Sequence, residues 1–173
     1  CFTQCCQDVN ILLTPYDIVQ MKNRLGISST EFLEKYTKRL LAPNTLLPAV
    51  QFKMDEENDK RCYFVGDKGC GVYEHRPWSC RMYPLDHSVE AETFAPMVDP
   101  TRCLGLQENT AWKLRDWLQD QGIEPYNDWN LRFAELTEDE KVDLILKKAK
   151  MRFKGRWRNL LNQKNFKANQ FHL

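Results

Sequence analysis

Seven cysteines carry the chemistry that this sequence can do: Cys1, Cys5, Cys6, Cys62, Cys70, Cys80 and Cys103, all within the first 103 of 173 residues. Buried small hydrophobes would be scattered, whereas Cys5 and Cys6 are adjacent and Cys62, Cys70 and Cys80 follow at intervals of eight and ten residues, in glycine-bearing segments. A disulfide framework fits poorly. The count is odd, and a chain of this length buries roughly 70% of its unfolded surface and folds without staples. Thiolates carried on loops can converge on an ion or a cluster, because loops place side chains free of helical or strand pitch. All seven cysteines are therefore candidate metal ligands. Seven exceed one tetrahedral set, which leaves room for spectators or for a second centre completed by His75 or His87.

Zinc sites commonly use Cys-x2–4-Cys knuckles, and only the spacing from Cys1 to Cys5 or Cys6 approaches that pattern. An iron–sulfur cluster, of the [4Fe–4S] type, is the favoured reading, with zinc as the alternative. Either centre with four thiolates is negatively charged. Arg76 and Arg81, which flank Cys80, are the candidate cations to offset that charge and tune the metal. They sit in the densest stretch, "GCGVYEHRPWSCRMYPL", residues 69 to 85, where Tyr73, Trp78 and Tyr83 could keep water from the metal. Gly66, Gly69 and Gly71 let the backbone approach closely and aim amides at sulfur.

The elements that must position these residues are partly legible. "LTPYDIVQMKNRLG" reads as a helix with Thr14 as cap, Pro15 in the first turn and Gly26 as stop. "ISSTEFLEKYTKRLL" has Ser28 and Glu31 spaced as a capping box, with Ile27 and Phe32 as a hydrophobic staple, so the two segments predict a helical hairpin closed by Pro43. "AVQFKM" alternates as a strand does, and "RCYFVGDKGCGVY" reads as two strand arms about Gly66-Asp67-Lys68-Gly69, delivering Cys62 and Cys70 from opposite arms. Pro77 turns the chain before Cys80, and "ETFAPMVDP" offers one more strand. Beyond Cys103 the periodicity predicts helices over 109–121, 125–135 and 137–152, the last capped by Thr137 and Glu140. Trp112, Trp117, Trp129 and Trp157 recur on these helices as packing residues.

Net charge is +1, but residues 141–173 hold ten Lys or Arg against the single acid Asp143, so the remaining 140 residues carry −8. A basic tail follows an acidic body. With Phe153, Trp157 and Phe166 interleaved, that tail could contact nucleic acid or an anionic surface, although docking on the acidic body is favoured. Hydrophobic residues make up 42% and charged residues 28%, and no run reaches the ~20 apolar residues of a membrane helix. Reduced cysteines of this kind place the expectation in the cytoplasm. A chain that opens on Cys1 without an initiator Met reads as a piece of a longer one.

The order of the N-terminal cysteines ending in Cys-Cys, "LTPYDI", "EFLEKYT" and then Cys70-x2-Tyr73-x2-Arg76-Pro77-x2-Cys80-Arg81-x2-Pro84-Leu85 resembles the YkgJ-type cysteine-cluster proteins over residues 1 to 103. These are described as zinc- or iron-chelating and include a flagellin N-methylase-like branch. The resemblance implies metal ligation by Cys1, Cys5, Cys6, Cys62, Cys70 and Cys80, with Cys103 following. It also implies an iron–sulfur oxidoreductase-like or, through that branch, a protein-lysine N-methylase-like activity. A zinc module that displays a binding surface stands as the alternative, and the redox or protein partner is unspecified. The expected architecture is a mostly helical α+β domain: a metal-binding core with a small antiparallel unit over 1–103, and a helical, C-terminally basic extension over 104–173.

Overall fold

The computed structural model describes residues 3–41, 48–88, 93–101 and 103–138. Within them the fold is α+β, with five α-helices and nine short strands in four small sheets, all antiparallel. No helix among the described residues is long and apolar enough to cross a membrane.

Strand β1 (Leu12–Leu13) leads into helix α1 (Pro15–Leu25). Thr14 caps α1 as predicted, but the cap is reciprocal: Thr14 Oγ1 accepts from the Asp17 amide, and the Asp17 carboxylate accepts from the Thr14 amide at 2.7 Å. Gly26 ends the helix at φ +68°, a conformation that side chains resist. Helix α2 (Ser29–Tyr36) starts where Ser28 accepts from the Glu31 amide, and Ile27 and Phe32 join one core.

Here the predicted hairpin is corrected. Helix α2 stops at Tyr36, and 37–41 forms strand β2 (Thr37–Leu41), because Thr37 goes extended and five residue pairs with β3 (Pro48–Phe52) reward that geometry. The resulting sheet runs β1-β3-β2, with Leu12 opposite Gln51 and Thr37 opposite Phe52. Tertiary pairing thus overrides a helical pattern that local spacing favours. Pro43 lies outside the described residues.

The single expected hairpin is two. Strand β4 (Met54–Asp55) pairs with β5 (Arg61–Cys62), placing Cys62 opposite Met54. Strand β6 (Val65–Gly66) pairs with β7 (Gly69–Cys70) around Asp67-Lys68, placing Cys70 opposite Val65. A turn at Tyr63 and Phe64 separates the arms, so the two cysteines come from different sheets. After Pro77 the chain makes one helical turn, α3 (Trp78–Met82), and the Tyr83–Pro84 bond is cis. The strand expected near 93–99 is β9 (Thr93–Pro96), paired with β8 (Leu85–Ser88).

Helix α4 (Leu114–Asp120) is shorter than predicted, and Gly122 (φ +61°) turns the chain into α5 (Glu124–Glu138). Pro125 fits the first turn of α5, where its missing N–H costs nothing. Thr137 does not begin a new helix: it lies inside α5, and its hydroxyl donates back to the Ala134 carbonyl at 2.8 Å. The predicted helix beyond it and the basic tail, Trp157 included, lie outside the described residues.

The core gathers Ile11, Leu13, Met21, Phe32, Phe52 and Val72, with Cys70 and Cys80 packed against it. Helix α5 docks on α1 through Tyr16, whose ring meets Tyr126 edge-on at 5.0 Å and stacks on Trp129 at 5.7 Å. The tryptophans are a second correction. Trp112, 57% exposed, precedes α4 instead of lying on it, and Trp129 stays 49% exposed although one face stacks on Tyr16.

Candidate metal centre

Five of the cysteines form one electrostatic neighbourhood. Cys5 and Cys6 ride the 3-10 turn Gln4–Cys6, and their sulfurs are 4.0 Å apart. The Cys6 thiol beside it holds Cys5 down to about 6, against the opposing effect of burial. The same contact pushes Cys6 far up, helped by burial and by the charges of Cys5, Cys62 and Cys80. Cys80, on α3, is pushed up chiefly by burial and then by Cys62, Cys70, Cys5 and Asp17. Burial also raises Cys62 and Cys70, with Cys70 acting on the first and Cys5 on the second. Thiols 56 to 75 residues apart in the chain are thereby brought within electrostatic reach of one another.

Cys62 and Cys70 share a local device. Each sulfur has the backbone N–H two residues onward against it, from Phe64 and Val72, and each amide lowers its thiol. An amide aimed at sulfur stabilises the thiolate form, the one that binds metal. Gly69 and Gly71 flank Cys70 as expected, but the amides belong to Phe64 and Val72.

The donor chemistry suits soft-ligand metals such as zinc or iron. Two sulfurs of a tetrahedral zinc site with Zn–S near 2.3 Å are roughly 3.8 Å apart, close to the Cys5–Cys6 separation. Among the described residues, however, no three His, Cys, Asp or Glu side chains stand close enough to hold one ion as placed. Cys1 is outside the described residues. Cys103, 6% exposed, precedes the 3-10 turn Leu104–Gln107. His75 is half-buried in the 3-10 turn Tyr73–His75, and His87 stacks on Phe94 at 4.4 Å.

The arginines divide their roles. Arg76 is near enough to lower Cys70, and its guanidinium lies 3.9 Å from the centre of the Tyr73 ring. Its N–H groups donate to the Tyr73 carbonyl at 2.8 Å and to Gln121 Oε1 at 2.7 Å. Arg81 donates to the carbonyls of Arg76, Gln121 and Glu74 and lies 4.7 Å from the centre of the Tyr126 ring. Its donors face backbone, so Arg81 fastens the α4–α5 unit to the cysteine motif. Trp78 assists, its indole N–H donating to Asn127 Oδ1 at 2.8 Å. Tyr73 is 55% exposed, an open position for a residue expected to shield metal.

Asp17 is the residue that sequence reasoning passed over. It is fully buried, and besides capping α1 its Oδ1 accepts from the Trp78 amide at 2.8 Å, which pins the start of α3 two residues before Cys80. Burial pushes its carboxyl up, against the pull of those donors and of Arg81. The spacing Thr14-x-x-Asp17 was the available signal.

A family model described as "CxxCxxCC: Putative zinc- or iron-chelating domain" matches residues 1–104. The chain begins Cys-x3-Cys-Cys where that label has Cys-x2-Cys-Cys. No curated protein and no solved structure matches.

Proposed function

Given that the chain belongs to the CxxCxxCC family of zinc- or iron-chelating domains, we propose that it is a metal-binding protein in which Cys5, Cys6, Cys62, Cys70 and Cys80 supply the thiolates for an iron–sulfur centre with a redox role. One observation carries this reading: the sulfurs of Cys5 and Cys6 lie 4.0 Å apart on a turn that Arg61, beside Cys62, grips through Thr3, and Cys70 and Cys80 pack against one core. Cys62, Cys70 and Cys80, eight and ten residues apart, lack the Cys-x2–4-Cys spacing of zinc knuckles, which favours a cluster. When bound, such a cluster supplies one-electron chemistry. The protein's own part is to lend amides at Cys62 and Cys70, the charge of Arg76 beside Cys70, and an apolar wall behind Cys70 and Cys80.

Zinc remains the second reading, favoured by the 4.0 Å Cys5–Cys6 separation. Anaerobic purification followed by iron, zinc and acid-labile sulfide analysis separates the two. Iron with matching sulfide and a broad visible absorption supports the cluster; zinc without sulfide assigns the alternative; neither metal overturns both. Cys80→Ser should lower metal content and soluble yield together, since metal binding at such sites is coupled to folding. Unchanged metal content would remove Cys80 from the ligand set.

A further inference from the structure

The thiols are held in two different ways. Cys70 and Cys80 pack against the hydrophobic core and Cys62 is buried, whereas Cys5 is exposed and Cys6 half-buried on a turn with no buried residue. What holds that turn is the segment 59–61, the end of a second turn and the first residue of β5, immediately before Cys62. Gln7 forms a bridge with Arg61, the Asp8 amide donates to the Lys60 carbonyl at 3.0 Å, and Gln7 Nε2 donates to the Asp59 carbonyl at 3.2 Å. Arg61 donates to Thr3 Oγ1 at 3.2 Å and Lys60 pairs with Asp8 at 2.9 Å. Among the described residues, the non-glycine positions with positive φ, Thr3, Asp8, Asp59 and Lys60, all fall on these two turns. Left-handed residues of this kind persist only where surrounding contacts impose them. Beside the pair opens a surface groove of about 530 Å³, lined by Gln4, Gln7, Asp8, Glu56, Asp59 and Lys60.

We propose that residues 59–61 act as a clasp on the Thr3–Asp8 turn, so that metal enters and leaves from the Cys5–Cys6 side while Cys62, Cys70 and Cys80 stay anchored to the body. The inference rests on the metal-binding reading above and adds to it the route and order of exchange. Cys5 and Cys6 are the last thiols to engage and the first to let go. Gln7 and Arg61 are the positioning residues: neither touches a thiol, and each acts through the turn.

The test is Gln7→Ala combined with Arg61→Ala in the full chain, compared with wild type and with the conservative Arg61→Lys. In the reduced, metal-free protein, iodoacetamide labelling followed residue by residue should show the half-buried Cys6 reacting roughly tenfold faster in the double variant, the worth of two hydrogen bonds, while the already exposed Cys5 changes little. Cys62, Cys70 and Cys80 should keep their wild-type rates. After zinc loading, the double variant should hold the same stoichiometry but release zinc to a chromogenic chelator faster by a similar factor, and Arg61→Lys should restore part of the slow release. Equal rates for wild type and double variant overturn the clasp, as does a uniform acceleration at all five cysteines, which would report general loosening. If wild type takes up no zinc and no iron, the proposed function fails, and the labelling rates alone decide the clasp.

Discussion

Arg81→Lys separates two roles that the sequence leaves entangled: tuning a metal beside Cys80, or joining the C-terminal helices to the motif. Arg81 is 8% exposed, and its three donations go to the carbonyls of Glu74 and Arg76 on one segment and of Gln121 on another. A lysine ammonium placed there reaches one of those carbonyls, because it lacks the planar fork that serves several at fixed angles. Two charge-assisted hydrogen bonds are lost, each worth about 1.5–3 kcal/mol, and two carbonyls lose their partner. The charge over Tyr126 is retained and adds no further loss. The expected loss is about 3 kcal/mol, read as a lower urea midpoint by tryptophan fluorescence, with faster amide exchange concentrated at 121–127. Metal content per folded molecule should not change, since no Arg81 donor points at a thiol. A loss below about 1 kcal/mol, or altered metal content with the urea midpoint unmoved, would refute the assignment of Arg81 to helix docking.

Gly122→Ala should destabilise more than Gly26→Ala. Both glycines have positive φ, which costs an alanine about 1 kcal/mol, but only at Gly122 would the new Cβ meet another group, Arg81 Nη1 at 3.2 Å, itself anchored by the Gln121 carbonyl. Equal urea midpoints for the two variants would show that Arg81 yields freely. Asp17→Asn should cost about 1–3 kcal/mol at neutral pH, because whichever way the amide turns, its NH2 faces a backbone N–H that the carboxylate now accepts. The folded carboxyl is raised above its unfolded value near 4, so wild type gains stability as pH falls through the raised value toward that range. Asparagine cannot take up that proton, and the gap in urea midpoint should widen on acidification; a constant or narrowing gap would contradict the burial of this charge.

What the sequence disclosed, and what it hid, follows from the range of the interactions involved. Helix α1 was legible because its signals, Thr14, Pro15 and Gly26, act within one turn. The Ser28 cap of α2 was legible for the same reason, whereas its end at Tyr36 depends on β3, residues 48–52, and no local pattern encodes a distant partner strand. The hairpin at Gly66–Gly69 was visible, but Cys62 pairs backward to Met54, a choice made by the sheet. Arg76 and Arg81 were marked as cations beside Cys80. Their engagement with Gln121, 40 to 45 residues away, could not be read from charge alone.

The same distinction accounts for the candidate centre. Its types and spacing were evident, because thiols are few and their clustering is a matter of counting. Its supports were not: Asp17 beneath α3 and the turn at 59–61 beneath Cys5 and Cys6 are ordinary polar residues whose importance arises only from what the fold sets opposite them. Asp17 ties Cys80 to the first helix and the core, and Arg61 ties the N-terminal pair to the strand that carries Cys62. Thiols from four segments are thus brought within electrostatic reach by supports of unequal strength, a buried carboxylate at one end and surface turns at the other. A site built this way opens from its weaker side.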